Sequence, residues 1–279
     1  MRLFVDNLTN VDFSYLCPER GLVGETWLAS IALDGALDEQ GMICDFGFVK
    51  KHLRHWLDVE LDHKLLIPTH SSALQLNTDS LQIDAHWQFG NQHYLATQSP
   101  KESVALISQK TITPESVAQW CEPQIRKLFD AGVDQLHLSF APETIATPFY
   151  HYSHGLKKHL GNCQRIAHGH RSKILVWRNG SLCLDTMNEI ATLWRDIYIG
   201  TKADLLNSVN ETQYKFAYTA QQGDYRLELP ASVCYLMNAD STVENISAHL
   251  LQRLSLLHPQ DTFEVKAFEG IAKGAISKS

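Results

Sequence analysis

The order of features in this chain repeats once, and that repetition limits the folds open to it more than any other property of the sequence. Residues 22–34 read as a strand ending in the turn Asp34-Gly35, and residues 168–179 read as a strand ending in Asn179-Gly180. A helix follows each turn. Phe46, Val49, Leu53, Trp56 and Leu57 recur at helical spacing in the first half, as do Met187, Ile190, Ala191 and Trp194 in the second. Each half then carries a strand-like pair around a polar turn, 81–89 with 94–97 and 214–220 with 225–229. A second helix opens at Thr113-Pro-Glu-Ser and again at Ser241-Thr-Val-Glu, both with capping residues and an acidic first turn. Closing strands are expected at 135–143 and 262–269. A chain of 279 residues has room for two domains. The pattern therefore predicts an α+β protein of two tandem units, 1–147 and 148–279, each a short antiparallel sheet with two helices packed on one face.

Charge and cysteine usage narrow the function. With 24 basic against 31 acidic residues the net charge is −7, which argues against nucleic acid as a partner, because phosphate neutralisation needs a basic footprint. The six cysteines form no C-x-x-C pair and no dense framework, so reduced thiols are expected. Asp6 and Asp12 interrupt the N-terminus before a signal-type apolar run forms, and no 18-residue apolar stretch occurs. The expectation is a soluble cytoplasmic protein with no membrane contact. Fourteen histidines are the one compositional oddity.

Two groups of motifs carry a family resemblance. Gly41-Met-Ile-Cys-Asp-Phe-Gly-Phe-Val-Lys50 followed by Leu61-Asp-His-Lys-Leu-Leu66 resembles the G-M-V-x-D-F-x-x-L-K and L-D-H-x-x-L patterns of the 6-pyruvoyltetrahydropterin and 6-carboxytetrahydropterin synthase family. That family's other signature, an early His on a strand, then Cys, then His-Gly-His, is matched by His154, Cys163 and His168-Gly169-His170. The resemblance implies two diverged copies of the family's tunnelling fold. The first copy reads Val23-Gly24-Glu25 at the His-Gly-His position and Tyr15 at the early His, so it lacks the metal ligands. The second reads Lys202-Ala203 at the Asp-His position. The family builds its sites between subunits, so the implied arrangement is one composite site, with metal and cysteine from one half and Asp62-His63 from the other.

The chemistry follows from those residues. His168 and His170 are two apart on a strand and share a face. With His154 they offer Zn2+ three neutral nitrogens and leave a tetrahedral ion one open position, as in a catalytic site. Cys163 lies in a stretch with six basic residues, Lys157, Lys158, Arg165, Arg171, Lys173 and Arg178, and no acid. That setting favours a thiolate and a face for a triphosphate. In Asp62-His63 a carboxylate would orient an imidazole for proton relay. By resemblance, Glu143-Thr144 or Glu269 anchors the pterin through parallel carboxylate bonds, and the choice between the two glutamates stays open. Thr113 and Thr242 match a substrate-binding threonine and equally well serve as plain helix N-caps.

The reading is a zinc-dependent lyase acting on 7,8-dihydroneopterin triphosphate, with Cys163, Asp62 and His63 as catalytic residues. The product is 6-carboxytetrahydropterin, on analogy with the route to deazapurines such as queuosine, or 6-pyruvoyltetrahydropterin. The alternative is a non-catalytic pterin- or purine-binding protein, or an assembly protein in which zinc fixes a loop. A homo-oligomer is expected, because closing the sheets into a barrel removes exposed strand edges.

Overall fold

Apolar residues alternate along β1 (Arg2–Cys17) and β2 (Gly21–Gly35), and the two pair as a long antiparallel hairpin. Val11, Phe13, Trp27, Ala29, Ile31 and Leu33 cover one face. α1 (Phe46–Glu60) starts at Asp45, whose side chain accepts from the Phe48 N–H, and it lays Val49, Leu53 and Leu57 on that face. Phe46, read as part of the apolar stripe, instead points to solvent. The chain continues through β3 (Leu65–Pro68), β4 (Leu74–Asn77), β5 (Gln82–Phe89), β6 (His93–Pro100) and β7 (Val104–Ile107) to α2 (Pro114–Ile125) and β8 (Val133–Pro142). The computed structural model describes the whole chain except Ser80, Asp130, Ala131 and Glu211 and the side chains of residues 207–210.

The second half opens with β9 (Phe149–His154) and β10 (His168–Arg178), then β11 (Ser181–Leu182), α3 (Leu184–Leu193) and β12 (Ile197–Thr201). β13 (Leu205–Asn210), β14 (Gln213–Ala220), β15 (Gly223–Pro230) and β16 (Cys234–Met237) follow, then α4 (Val243–Leu257), β17 (Phe263–Phe268) and β18 (Gly274–Lys278). Strand order in the first sheet is β7-β3-β1-β2-β8, and in the second β16-β12-β9-β10-β17-β18, with β11 on β10. Element for element, the second order repeats the first and adds β18 at one edge.

The sheets are mixed rather than antiparallel, a correction to the sequence expectation. β3 runs parallel to β1 and to β7, and β12 runs parallel to β9 and to β16. The cause is the crossover: α1 or α3 carries the chain back, so the next strand enters in the direction of the first.

The remaining strands build a third sheet, β13-β14-β15-β6-β5-β4, in which the two halves meet where Ala96–Gln98 pair with Arg226–Glu228. The two strand pairs expected within separate halves therefore share one sheet. Beneath it Trp87, Phe216, Tyr225 and Leu227 pack on Leu16, Leu65, Ile166 and Tyr198, so residues of both halves fill one core.

A second contact joins the halves backbone to backbone. A Cβ on Gly24 would collide with the carbonyl of Tyr152 and lie 2.7 Å from the His170 nitrogen, and one on Gly169 would sit 2.6 Å from the Gly24 Cα. Between them the hydroxyls of Ser14 and Ser153 hydrogen-bond at 2.7 Å. The glycine inside His-Gly-His and the one inside Val-Gly-Glu are thus what let the two hairpins touch.

Candidate active site

Strand register decides which side chains can meet. β9 sets His154 opposite His168 and Tyr152 opposite His170. The three histidines fall on the face that carries Ile174 and Val176, which pack beneath α3 and α4. Each imidazole is fully buried. His154 directs Nδ1 to the Ser241 carbonyl at 2.9 Å, just before α4, and His168 directs Nδ1 to the Arg165 carbonyl at 2.9 Å. Those carbonyls fix the tautomers and leave both Nε2 atoms buried without a hydrogen-bond partner among the described residues, as are both ring nitrogens of His170. One ligand atom from each ring lies within 4.8 Å of the others. Burial first, and then the neighbouring imidazoles, push the pKa of His154 and His168 well below the ordinary value. Three converging, orphaned nitrogens, with the pKa values of His154 and His168 lowered by burial, are a donor set that fits a divalent cation such as zinc.

The first half delivers its residues to the same place. α1 ends at Leu61, and the chain turns through His63 in a left-handed conformation with φ 57°. The turn is gripped by β1: the Asp12 N–H donates to Asp62 Oδ1 at 2.8 Å, and the His63 N–H donates to the Asp12 carbonyl at 2.6 Å. Asp62 Oδ2 holds His63 Nδ1 at 2.5 Å. The His63 ring stands 5.1 Å from that of His168. His63, Cys163 and His168 form a second group with ligand atoms within 4.8 Å of one another. Burial works against a charged His63, but hydrogen bonds to Asp62 and Cys163 outweigh it and push its pKa up to about 10.

Cys163 sits in the loop joining β9 to β10, a segment of 13 residues where the β1–β2 connection has three. The third sheet secures that loop. The Gln222 N–H, in the β14–β15 turn, donates to Gln164 Oε1 at 2.7 Å, and the Tyr218 hydroxyl donates to the Gln164 carbonyl at 2.8 Å. Arg165 donates to the carbonyl of Asp62 at 3.2 Å, which ties the cysteine loop to the Asp-His turn of the other half.

The remaining sequence expectations fall out as follows. Glu269 lies 3.6 Å from His170 Nε2, at the imidazole cluster. Glu143 is elsewhere: its Oε1 binds Lys173 at 2.8 Å and its carbonyl accepts from Arg171, while Thr144 is exposed. Thr113 and Thr242 are both N-caps, accepting from the Ser116 and Asn245 N–H groups. Thr242 follows Ser241, the His154 partner, whereas Thr113 serves α2 in the other half.

Two expectations are corrected. The basic stretch is not an open cationic face. Lys157, Lys158, Lys173 and Arg178 pair with Asp204, Asp240, Glu143 and Asp261, acids that folding brings from far along the chain. The counterpart of Asp62-His63 is not Lys202-Ala203. β3 sets Leu65 against Ser14, and β12 sets Tyr198 against Ser153, so register aligns His63 with Asp196. Asp196 shares the left-handed φ, at 55°, and Arg20 ion-pairs with it.

Sequence reasoning gave Asp12 and Ser241 no place in the site and took Arg165 only as one of the six basic residues, not as the tie to the Asp62 carbonyl. The signal for Asp12 was present, a lone acid between Val11 and Phe13 in an apolar strand. Burial works against its carboxylate, but His170, Lys273 and the Thr26 hydroxyl outweigh it and hold its pKa below the ordinary carboxylate value.

Comparison with known proteins bears on part of the chain. No curated protein matches it. Among solved structures, a catalytic-residue mutant of 6-pyruvoyltetrahydropterin synthase from Plasmodium vivax is 18% identical, with a TM-score of 0.41, over 51% of this chain and 98% of that one. The Plasmodium falciparum 6-pyruvoyl tetrahydropterin synthase is 14% identical, with a TM-score of 0.40 over the same shares. Residues 18–148 match the family described as 6-pyruvoyl tetrahydropterin synthase, so the likeness to that family lies over this segment.

Proposed function

We propose that this protein is a zinc-dependent lyase acting on 7,8-dihydroneopterin triphosphate, with its reaction centre between the unlike halves of one chain. In this reading residues 1–147 and 148–279 are two fused tunnelling-fold units. The observation that carries it is the meeting of Asp62-His63 from the first half with Cys163 and three orphaned imidazoles from the second. The family match over residues 18–148 supports the substrate class.

His154, His168 and His170 would hold the metal, which supplies Lewis acidity toward the hydroxyl-bearing side chain of the substrate. Cys163, against His63, is placed to take a proton from the adjoining carbon. His63, oriented by Asp62, is placed to hold that proton and return it. Glu269, beside His170, is the glutamate available to the N–H groups of the pterin, because Glu143 is engaged with Lys173. Loss of triphosphate gives 6-pyruvoyltetrahydropterin, and side-chain cleavage with release of acetaldehyde gives 6-carboxytetrahydropterin, the first choice. We expect a cytoplasmic homo-oligomer whose sheets close into a barrel.

The test is incubation of zinc-loaded protein with 7,8-dihydroneopterin triphosphate, read by mass spectrometry. A carboxy or pyruvoyl product with about one zinc per chain is the expected result. Bound zinc with no consumption of substrate would overturn the enzymatic reading and leave a pterin-binding protein.

A further inference from the structure

Of the three clustered histidines, His170 alone has its Nδ1 directed at the other half of the chain. His154 and His168 lean on carbonyls of their own half. His170 Nδ1 instead faces Oδ1 of Asp12, a side chain buried on β1, at the ion-pair distance of 3.3 Å and out of hydrogen-bond alignment, with no other polar partner among the described residues. That oxygen also accepts from the Thr26 hydroxyl at 2.6 Å, and Lys273 donates to Oδ2 at 3.1 Å. The site is shaped around the carboxylate: Gly270, at φ 68°, would place a Cβ 2.5 Å from Asp12 Oδ1. The peptide groups of Asp12 grip Asp62 and His63. One first-half residue thus touches both the proposed ligand set and the proposed proton relay. A buried carboxylate is costly unless paired, and here its partners come from three segments.

The equivalent position across the interface has the roles exchanged. Register aligns Asp12 with His151 and His170 with Glu25. His151 Nδ1 lies 3.7 Å from Glu25 Oε2. An acid and an imidazole therefore face each other across the interface twice, but on one side only does the imidazole belong to the cluster.

We propose that Asp12 is the positioning residue for His170, so that the metal affinity of the second half depends on a carboxylate supplied by the first. The inference rests on the metal reading above. A carboxylate on Nδ1 keeps the proton there, presents Nε2 as the ligand lone pair and raises its basicity.

The experiment compares the full-length protein with Asp12→Ala, Asp12→Asn and the control Glu25→Gln. Zinc affinity is measured by competition with a chromophoric chelator, and the His170 tautomer in metal-free protein by 15N NMR. Asp12→Ala is expected to bind zinc about 10–100-fold more weakly and to gain the Nε2–H tautomer. Asp12→Asn, which keeps the volume if the alanine variant fails to fold, is expected to lie between it and wild type, with Glu25→Gln unchanged. Folded Asp12 variants with wild-type affinity and an unchanged tautomer would overturn the inference. Wild-type protein that binds no zinc would overturn the metal reading, and the tautomer shift then decides the role of Asp12 by itself.

Discussion

The contact between the β1–β2 and β9–β10 hairpins presents two equivalent regions whose contents differ. On one side His154, His168 and His170 converge with unpaired nitrogens beside His63 and Cys163. On the other, the same register positions hold Tyr15, Val23, Glu25 and Asp196, and Arg20 closes the space by pairing with Asp196. The backbone is alike down to the left-handed residue after the first helix. Equivalent scaffolds therefore support a cluster of unpartnered imidazoles in one place and a satisfied ion pair in the other. Scaffold alone does not make a site. In the proposed reading the orphaned imidazole nitrogens are the ones a metal would take up, because burying an unpaired polar group costs stability that a paired one does not.

The largest effect expected from breaking this asymmetry is on turnover. Cys163→Ala or His63→Ala should reduce product formation about 100–10,000-fold while leaving zinc content near wild type. A small loss would remove the proton-relay role. Next, Gly24→Ala should force the two hairpins apart at their closest approach, lowering thermal stability by about 1–3 kcal/mol together with turnover. An unchanged melting temperature would show that the contact is looser than described.

The reciprocal region predicts a pH signature. Burial, opposed by the Thr26 N–H and Arg171, pushes the Glu25 carboxyl up to about 7. Its folded pKa is above the unfolded one, so its contribution is fully present below the ordinary glutamate range and is lost as pH rises toward 7. Relative to Glu25→Gln, wild type should lose about 2–3 kcal/mol between pH 4.5 and 7, measured by denaturant unfolding. Parallel curves for the two proteins would contradict this. Arg20→Met should cost about 1.5–3 kcal/mol of stability without changing turnover per folded molecule. A loss of turnover would mean that the closed region still serves the reaction. The smallest effect is at the caps, where Thr113→Ala should cost about 1 kcal/mol and leave zinc affinity untouched.

Much of the fold was legible because its signals are local. Strand alternation over 22–34 and 168–179, the apolar stripe from Val49 to Leu57 and the capping threonines each need only a few neighbours, and the observed elements match them closely. Strand direction and the third sheet were not legible, because the pairing of β6 with β15 joins residues more than 120 apart. The proposed ligands stood out as a short motif, whereas Asp12 and Arg165 look like ordinary polar residues until the partner half arrives. The sequence counterpart of Asp62-His63 was misplaced for a related reason: only β-ladder register, with Leu65 on Ser14 and Tyr198 on Ser153, identifies Asp196.

By itself the sequence determined which residues have the chemistry, since imidazole, thiol and carboxylate are properties of the side chain and their spacing along a strand sets the face they share. Only the tertiary structure decided which of them meet. That His63 faces Cys163, that Glu269 rather than Glu143 lies by the imidazoles, and that four of the six basic residues are neutralised all depend on where distant segments come to rest. Long-range contacts are set by the packing of whole sheets, which no local pattern in the chain encodes.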